Sequence, residues 1–170
     1  MSRAFVIGLG SNLGVREQYL VHAVQEIARV STVSALSHVY ETPPLTPPQP
    51  DYLNAALRVQ SHLNPEQLLD HLLGIEAAAG RVRDVRWGSR VLDLDILWAD
   101  APYASGRLRI PHAELLSRTF ALAPLLDVSP ELAPEYAGAL QQLGGSPRIC
   151  GILSWDRTRE VCEFTGAAAL

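Results

Sequence analysis

Two aspartates that alternate with apolar residues form the clearest candidate site in this sequence. Asp93 and Asp95 lie in the segment Val91–Trp98, where leucine and isoleucine occupy the neighbouring positions. If the segment is a β-strand, alternate side chains share a face, so one face would be apolar core and the other acidic. Residues two apart on a strand are separated by about 6.5 Å at the backbone, so both carboxylates can lean onto two metal ions about 4 Å apart. Mg²⁺ suits such a pair, because it uses few carboxylates and takes its other ligands from water and phosphate.

Arginines surround this acidic pair in the sequence. The chain has no lysine, and seven of its fourteen arginines fall between positions 81 and 118: Arg81, Arg83, Arg86, Arg90, Arg107, Arg109 and Arg118. A compositional bias explains the missing lysine but not this clustering. Guanidinium groups bind phosphate through paired hydrogen bonds, so arginines that face two carboxylates across a cleft are typical of a Mg²⁺-nucleotide site. For an isolated aspartate pair, a solvated strand face is the alternative.

Two further features near the pair point to phosphate chemistry. The segment Gly80–Arg90 is charged and contains glycine, so it could hinge over a ligand, or its arginines could pair with surface acids. His112 follows a proline and can donate to a phosphate oxygen, although a lone histidine is more often an ordinary hydrogen-bonding residue. Rossmann and P-loop motifs are excluded, because the glycines at 8, 10 and 14 miss the GxGxxG spacing and a P-loop needs lysine.

The elements that must position these residues follow a regular order. The patterns predict strands over Ala4–Gly8, Val33–Tyr40, Tyr52–Val59 and Val91–Trp98, and helices over Arg16–Val30 and from Asn64 to Gly80. The order βαββαβ indicates an α+β, ferredoxin-like domain, in which helices pack on one face of a mostly antiparallel sheet. A loop with five prolines, at 43, 44, 47, 48 and 50, separates the second and third strands.

The remainder of the chain carries weaker patterns. We expect an edge strand over Leu108–Ile110, a helix over Arg118–Leu126, and a hairpin of Ile149–Leu153 with Val161–Phe164. Residues 1–144 are expected to form one domain, followed by a C-terminal tail of unknown role over residues 145–170. The end of that tail, from Gly166, is expected to be frayed.

The amino-acid composition limits the classes of protein to which this chain can belong. With 170 residues, of which 48% are hydrophobic and 19% charged, the chain is predicted to be globular. No apolar run approaches the ~20 residues of a membrane span, and the first run lacks the length and cleavage site of a signal peptide. We therefore expect a cytoplasmic protein, and also a monomer. The net charge of −4 argues against broad nucleic-acid binding, and Cys150 and Cys162 lack the spacing of a disulfide or zinc framework.

Several motifs, in order along the chain, resemble those of one enzyme family. They are Gly10-Ser11-Asn12-Leu13, Tyr40-Glu41-Thr42-Pro43-Pro44-Leu45, Gln49-Pro50-Asp51-Tyr52-Leu53-Asn54, Glu76 to Arg81, Arg86-Trp87-Gly88, Arg90 to Asp95 and Ile110-Pro111-His112. From about Ala4 to Pro130 the chain resembles the 6-hydroxymethyl-7,8-dihydropterin pyrophosphokinases. The resemblance implies transfer of a diphosphate from ATP to the hydroxymethyl group of a reduced pterin, with release of AMP, as a step of folate biosynthesis.

The resemblance also implies roles for individual residues. Asp93 and Asp95 would hold two Mg²⁺ ions on ATP, and the phosphates would be contacted by the catalytic residues Arg81, Arg90, His112 and Arg118. The nucleotide contacts would be Glu76, Arg83, Trp87, Ile96 and Arg107. The pterin would bind to Thr42, Pro43, Leu45, Tyr52, Asn54 and Phe120, with its ring between the two aromatic side chains. Aromatic faces and an amide suit a flat heterocycle, although without the resemblance ordinary core packing would be the preferred interpretation of the two rings.

The sequence departs from the family pattern in places, and two other classes of protein stay open. The segment Arg81–Trp87 is one residue shorter than usual in the family, Ser89 replaces a proline, and Ala113 stands where proline or tyrosine is more usual. Ferredoxin-like sheets also bind RNA, but the interleaved aromatics of that motif are absent and two aspartates would face the RNA phosphates. A catalytically inactive relative is the third alternative.

Overall fold

The computed structural model describes residues 1–46, 48–80 and 89–169. Its strands are β1 (Arg3–Ser11), β2 (Ser31–Leu36), β3 (His38–Thr42), β4 (Tyr52–Ser61), β5 (Asp93–Ala99), β6 (Tyr103–Ala104), β7 (Arg109–Ile110), β8 (Arg148–Asp156) and β9 (Val161–Gly166). Its α-helices are α1 (Arg16–Ala28), α2 (Pro65–Ala78), α3 (Thr119–Val128) and α4 (Ala133–Gln142). None of the helices in these ranges has the length and apolar character needed to cross a membrane.

The main sheet has the strand order β5-β1-β4-β3-β8-β9, and β2 also pairs with β4. Within the described ranges, every pairing in this sheet is antiparallel. β2 and β3 follow one another along β4, so they together take the place of a single strand. The first part of the chain therefore forms the βαββαβ unit, and the ferredoxin-like prediction is confirmed.

The segment predicted as one strand over Val33–Tyr40 is two strands that meet at Ser37. The hydroxyl of this buried serine accepts a hydrogen bond from the main-chain N–H of Ala56 at 2.8 Å, and its own N–H donates to the Ala56 carbonyl at 2.9 Å. A serine side chain that satisfies a main-chain group interrupts the strand without leaving a buried donor unpaired. The alternation of apolar and polar residues before and after Ser37 does not reveal that the strand is interrupted there.

Helices cover both faces of the sheet, whereas the sequence predicted one covered face. α1 and α2 pack on the face that carries Phe5 and Ile7 of β1. α3 and α4 pack on the opposite face, against Val6 and Leu97. The uninterrupted apolar run Ala4–Leu9 is the sequence signal for a strand that is buried on both sides. α4 was not predicted.

The predictions for the second half of the chain have different outcomes. The segment Leu108–Ile110 is not an edge strand of the main sheet, since β7 pairs with β6 in a separate two-stranded sheet. The C-terminal hairpin is confirmed, because β8 pairs with β9 and also with β3, so that the hairpin extends the main sheet. The segment after Gly166, expected to be frayed, forms a 3₁₀ turn over Ala167–Ala169.

The start of α2 agrees with the capping pattern in the sequence. The Asn64 side chain accepts from the N–H of Gln67 at 2.9 Å, and the Gln67 side chain accepts from the N–H of Asn64 at 3.0 Å. At the other end of this helix, Glu76 is buried and its Oε1 accepts from the main-chain N–H of Leu94 at 2.7 Å. The helix is therefore attached to β5 between the two aspartates.

Candidate active site

A cavity of about 410 Å³ opens at one end of the sheet, where β3, β4 and β5 present polar side chains and β1 contributes two glycines. The proline-rich loop and residues between His112 and Ala121 form its other walls. Eleven of the predicted site residues line it: Thr42, Pro43, Leu45, Tyr52, Asn54, Arg90, Asp93, Asp95, His112, Arg118 and Phe120. The fold thus brings together side chains from three distant parts of the sequence.

The acidic pair lies on the cavity side of β5. Asp93 and Asp95 line the cavity, while the apolar residues that alternate with them are buried in the core on the other side, as predicted. Asp93 Oδ1 is 2.8 Å from Nη1 of Arg90. Burial and the neighbouring Asp93 charge raise the pKa of Asp95, and the positive groups of His112, Arg118 and Arg90 oppose this shift.

The donor set of this pair fits a divalent metal. Two adjacent carboxylates disfavour each other's ionisation, and a bound cation relieves that repulsion. Within the described ranges no group of three or more His, Cys, Asp or Glu side chains is placed to hold a metal. Water and phosphate would therefore supply the other ligands, which is the manner in which proteins usually bind Mg²⁺.

A β-bulge in β5 lies next to the cavity. Ile7 pairs with Ile96 and Val6 pairs with Trp98, so Leu97 is the extra residue between them. Leu97 alternates with the aspartates and lies on their side of the strand, and the bulge brings the next residue, Trp98, to that side as well. A Cβ atom on Gly8 would lie 3.1 Å from Leu97 Cδ1, so glycine at position 8 makes room for this side chain.

His112 presents a hydrogen-bond donor to the cavity. Its Nδ1 accepts from the main-chain N–H of Glu114 at 3.2 Å, which places the proton of the neutral ring on Nε2. Nε2 lies 4.0 Å from Oδ1 of Asp95. The imidazole N–H therefore points to the acidic end of the cavity.

Arg118 lies between the charged and the aromatic parts of the cavity. It precedes α3, its guanidinium pairs with the Glu114 carboxylate, and it lies over the Phe120 ring with 5.7 Å to the ring centroid. Glu114 also lines the cavity. An anionic ligand in the cavity would compete with Glu114 for the guanidinium.

The aromatic part of the cavity contains a fixed amide. Asn54 Nδ2 donates to Oγ1 of Thr42 at 2.7 Å, which turns Oδ1 to the side of Gly10. A Cβ atom on Gly10 would lie 3.2 Å from Asn54 Oδ1 and 3.7 Å from Cδ1 of Tyr52. Glycine at position 10 therefore keeps the space in front of the amide and the ring open.

Asn12 connects the proline-rich loop with the segment that leads into β5. Its buried side chain donates to the Pro50 carbonyl at 3.1 Å and to Gln49 Oε1 at 3.3 Å, and it accepts from the N–H of Arg90 at 2.7 Å. The Ser89 hydroxyl donates to the same oxygen of Gln49 at 3.3 Å. One asparagine thus joins the two loops that border the cavity.

Two of the predicted nucleotide residues lie in the protein interior. Glu76 is 1% exposed and Ile96 is 2% exposed, and neither lines the cavity. The Ile96 side chain belongs to the core on the face opposite Asp95. A nucleotide could meet these positions only through main-chain atoms or a rearranged side chain, so their assigned roles stay predictions.

Arg107, also predicted to contact the nucleotide, lies outside the cavity. Its guanidinium is 3.0 Å from Glu66 Oε2 and 2.5 Å from Asp70 Oδ1, both near the start of α2. Glu76, at the other end of this helix, is ten residues further on than Glu66, or roughly 15 Å at helical rise. The predicted residues Arg81, Arg83 and Trp87 lie outside the described residues.

Several cavity residues were given no role by the sequence analysis. They are Gly8, Leu9, Gly10, Pro44, Thr46, Gln49, Ala55, Leu97, Glu114 and Ala121. Glycines at alternate positions of an apolar strand are a signal for close approach on one face, and this signal could have found Gly8 and Gly10. Glu114 stands four residues before Arg118, which is a spacing typical of an ion pair. No sequence signal marks the bulge at Leu97.

Comparison with known proteins places the chain in one family of sequences. Residues 6–130 match the model of the family described as 7,8-dihydro-6-hydroxymethylpterin-pyrophosphokinase. A 2-amino-4-hydroxy-6-hydroxymethyldihydropteridine pyrophosphokinase of Methylorubrum extorquens is 43% identical over 136 residues, which cover 78% of this chain and 85% of the relative. The protein of the same name from Bacillus subtilis is 38% identical over 168 residues, covering 96% of this chain and 97% of the relative.

Solved structures match the fold at much lower identity. Wild-type Plasmodium falciparum HPPK-DHPS with SDX-DHP has a TM-score of 0.64 and 12% identity, covering 96% of this chain and 50% of that chain. The same protein with pterin and p-hydroxybenzoate has a TM-score of 0.66 and 13% identity, covering 96% of this chain and 47% of that chain. This chain thus spans about half the length of these solved structures, and at such identities the likeness concerns the fold alone. The family model and the closely similar sequences decide the classification: the chain belongs to the 7,8-dihydro-6-hydroxymethylpterin-pyrophosphokinase family.

Proposed function

We propose that this chain transfers a diphosphate group from ATP to the hydroxymethyl group of 6-hydroxymethyl-7,8-dihydropterin, with release of AMP, in folate biosynthesis. The observation that carries the proposal is a single cavity with two chemically different ends. One end has Asp93 and Asp95 with arginines and an imidazole N–H, and the other has Tyr52, Asn54 and Phe120. Relatives that the chain matches over most of its length bear the name of this activity.

The acidic end suits a nucleotide with its metal ions. Two Mg²⁺ ions held by Asp93 and Asp95 would neutralise the phosphate chain of ATP. Arg90 and Arg118 are paired with carboxylates, those of Asp93 and Glu114, so a phosphate would exchange one anionic partner for another. Neither guanidinium is left as an unpaired buried charge during that exchange. The Nε2–H of His112 adds a hydrogen-bond donor for a phosphate oxygen.

The aromatic end suits the pterin. Tyr52 and Phe120 offer ring faces for a flat heterocycle, and Asn54 offers an acceptor for its N–H edge. Because the two ends share one cavity, the hydroxymethyl oxygen and the β-phosphorus can be held close together. This positioning converts an encounter in solution into a reaction between neighbours, which is the main contribution that a protein can make to phosphoryl transfer.

The proposal also includes residues that the cavity contacts do not test, some of them outside the described residues, and properties of the whole protein. We propose Arg81 as a further catalytic contact to the phosphates, and Glu76, Arg83, Trp87, Ile96 and Arg107 as further nucleotide contacts. We also propose that the protein works in the cytoplasm as a monomer, with two Mg²⁺ ions and without nucleic-acid or membrane partners.

An assay for AMP tests the proposed function. Purified protein with ATP, Mg²⁺ and hydroxymethyl-dihydropterin is expected to release AMP in step with the pterin diphosphate, measured by chromatography. Omission of the pterin, or chelation of Mg²⁺, should stop the release. Formation of ADP in place of AMP, or AMP release that does not depend on the pterin, would contradict the proposal.

Two substitutions of His112 test which ring nitrogen matters. His112→Gln can place an amide N–H near the position of Nε2, whereas His112→Asn can only replace Nδ1, which faces the N–H of Glu114. We expect turnover to fall by about 10²-fold in the asparagine variant, because it loses one hydrogen-bond donor to the charge that develops in the transition state. The fall should be clearly smaller in the glutamine variant. AMP release at saturating ATP and pterin measures both. Equal losses in the two variants would rule out a specific role for Nε2–H.

A further inference from the structure

Arg16, the first residue of α1, contacts both ends of the proline-rich loop without lining the cavity. Its Nη1 donates to the Asp51 carbonyl at 2.8 Å and lies 3.3 Å from Glu41 Oε1, and Nη2 is 3.4 Å from the same carboxylate oxygen. Glu41 belongs to β3 just before the loop, and Asp51 stands where the loop returns to β4. One guanidinium therefore joins the outgoing and the returning ends of the loop.

The residues next to these two ends belong to the cavity. Thr42 follows Glu41, and Tyr52 follows Asp51. Thr42 and Tyr52 are paired across β3 and β4. Thr42 in turn holds the amide of Asn54. Because successive residues of a strand face opposite sides, Glu41 lies on the side away from the cavity, toward α1. A shift of either loop end would be transmitted directly to Tyr52 and Thr42.

The C-terminal hairpin supports the same carboxylate. Arg148 at the start of β8 pairs with Glu41 Oε2, so Glu41 lies between two guanidinium groups. The side chains of Arg16 and Glu41 are 25% and 21% exposed, whereas that of Arg148 is 70% exposed. Exposed ion pairs contribute little, so we expect the Arg16 contacts to matter more than those of Arg148. The hairpin lies beyond residues 6–130, which the family model matches.

We propose that Arg16 and Glu41 are positioning residues for the pterin, acting together as a clasp at the base of the proline-rich loop. The inference rests on the proposed function, because it assumes that the pterin binds between Tyr52 and Phe120. Arg16 touches neither ligand in this scheme. It fixes the main chain on both sides of the loop, so that the ring of Tyr52 and the amide of Asn54 are in place before the pterin arrives. Such preorganisation affects pterin binding and leaves the nucleotide end unchanged.

The clasp is tested with Arg16→Met and Glu41→Gln. For each variant the KM values for the pterin and for ATP are measured separately by AMP release, and the pterin Kd is measured by calorimetry with a non-hydrolysable ATP analogue and Mg²⁺. We expect the KM and Kd for the pterin to rise about tenfold, as for losing one charged hydrogen bond, with the KM for ATP nearly unchanged. The double variant should lose little more pterin affinity than Arg16→Met alone, because both changes break the contact between Arg16 and Glu41.

Two further variants separate positioning from general stability. Arg29→Met removes a guanidinium at the other end of α1, where it lies 3.5 Å from Glu26, and it should leave both KM values unchanged. Arg16→Lys can keep one of the contacts and should restore part of the pterin affinity. Suppose that Arg16→Met lowers the unfolding temperature. If both KM values then rise equally, or if neither rises, the clasp is overturned while the proposed function stands. If the wild-type protein released no AMP with the pterin, the proposed function and the clasp would both fail.

Discussion

Asp95→Asn is expected to lower turnover about a thousandfold or more while the protein stays folded. Asparagine keeps the shape of the side chain but removes the charge that binds a cation, and losing a main electrostatic element of phosphoryl transfer has effects of this order. The side chain lies on the cavity side of β5, so the core on the opposite face is untouched. Asp93→Asn is expected to have a similar effect on turnover. The turnover of both variants is measured as AMP release at several Mg²⁺ concentrations.

The stability of the same variant gives an independent check. Burial and the Asp93 charge raise the pKa of Asp95 above that of an unfolded chain. A carboxyl group with a raised folded-state pKa stabilises the protein in its protonated form, and this stabilisation is lost as the pH rises through that pKa. Ionisation of Asp95 is therefore unfavourable for folding of the metal-free protein. The unfolding temperature of metal-free Asp95→Asn should be equal to or higher than that of the wild type.

Asp100→Asn is the matched control for this prediction. Asp100 follows the far end of β5, where it accepts from the N–H of Ala4 and lies 3.6 Å from Arg3. The same chemical change at this position should leave turnover and its Mg²⁺ dependence unaltered. If Asp93→Asn or Asp95→Asn kept near-normal turnover at ordinary Mg²⁺ concentrations, the metal-binding role of the pair would have to be abandoned.

Asn54→Ala is expected to weaken pterin binding by roughly 1–3 kcal/mol, with little change in ATP binding. The substitution removes the acceptor for the pterin edge and leaves polar groups of the bound pterin unpaired, which costs about this much in a buried site. It also removes the hydrogen bond to Thr42. Calorimetry with an ATP analogue and Mg²⁺ measures the pterin affinity, and a separate titration measures the affinity for the analogue alone.

The same substitution at Asn64 serves as its control. Asn64 caps α2, and Asn64→Ala should lower the free energy of unfolding by about 1 kcal/mol without changing pterin affinity. A loss of nucleotide affinity in Asn54→Ala, with pterin affinity intact, would show that the two ends of the cavity have been assigned the wrong way round.

Most of the fold could be predicted from patterns that are local in the sequence. The alternation around Asp93 and Asp95 predicted a strand with one acidic and one apolar face, because side chains alternate on any β-strand whatever its neighbours. The start of α2 was predicted from Asn64, Pro65 and Gln67, because a cap is formed by residues within one turn. The βαββαβ order of such elements was enough to indicate the ferredoxin-like sheet.

The candidate site was predicted less completely, because its geometry depends on which strands are neighbours. Residue chemistry and the family resemblance together indicated eleven residues of what proved to be one cavity; the resemblance supplied Tyr52 and Phe120, which the residues alone would have left in the core. It could not show that Arg107 is engaged with Glu66 on α2. Long polar side chains have several partners within reach, and the packed structure decides among them.

By itself, then, the sequence determined which strand carries carboxylates, where the arginines cluster, and where α1 and α2 begin. The tertiary structure alone decided the bulge in β5, the break at Ser37, and the packing of α3 and α4 on the second face of the sheet. It also decided that Arg16 reaches Asp51, 35 positions away. The reason is physical: a hydrogen bond or a bulge depends on the register of paired strands, and register is a property of two segments that no single segment contains.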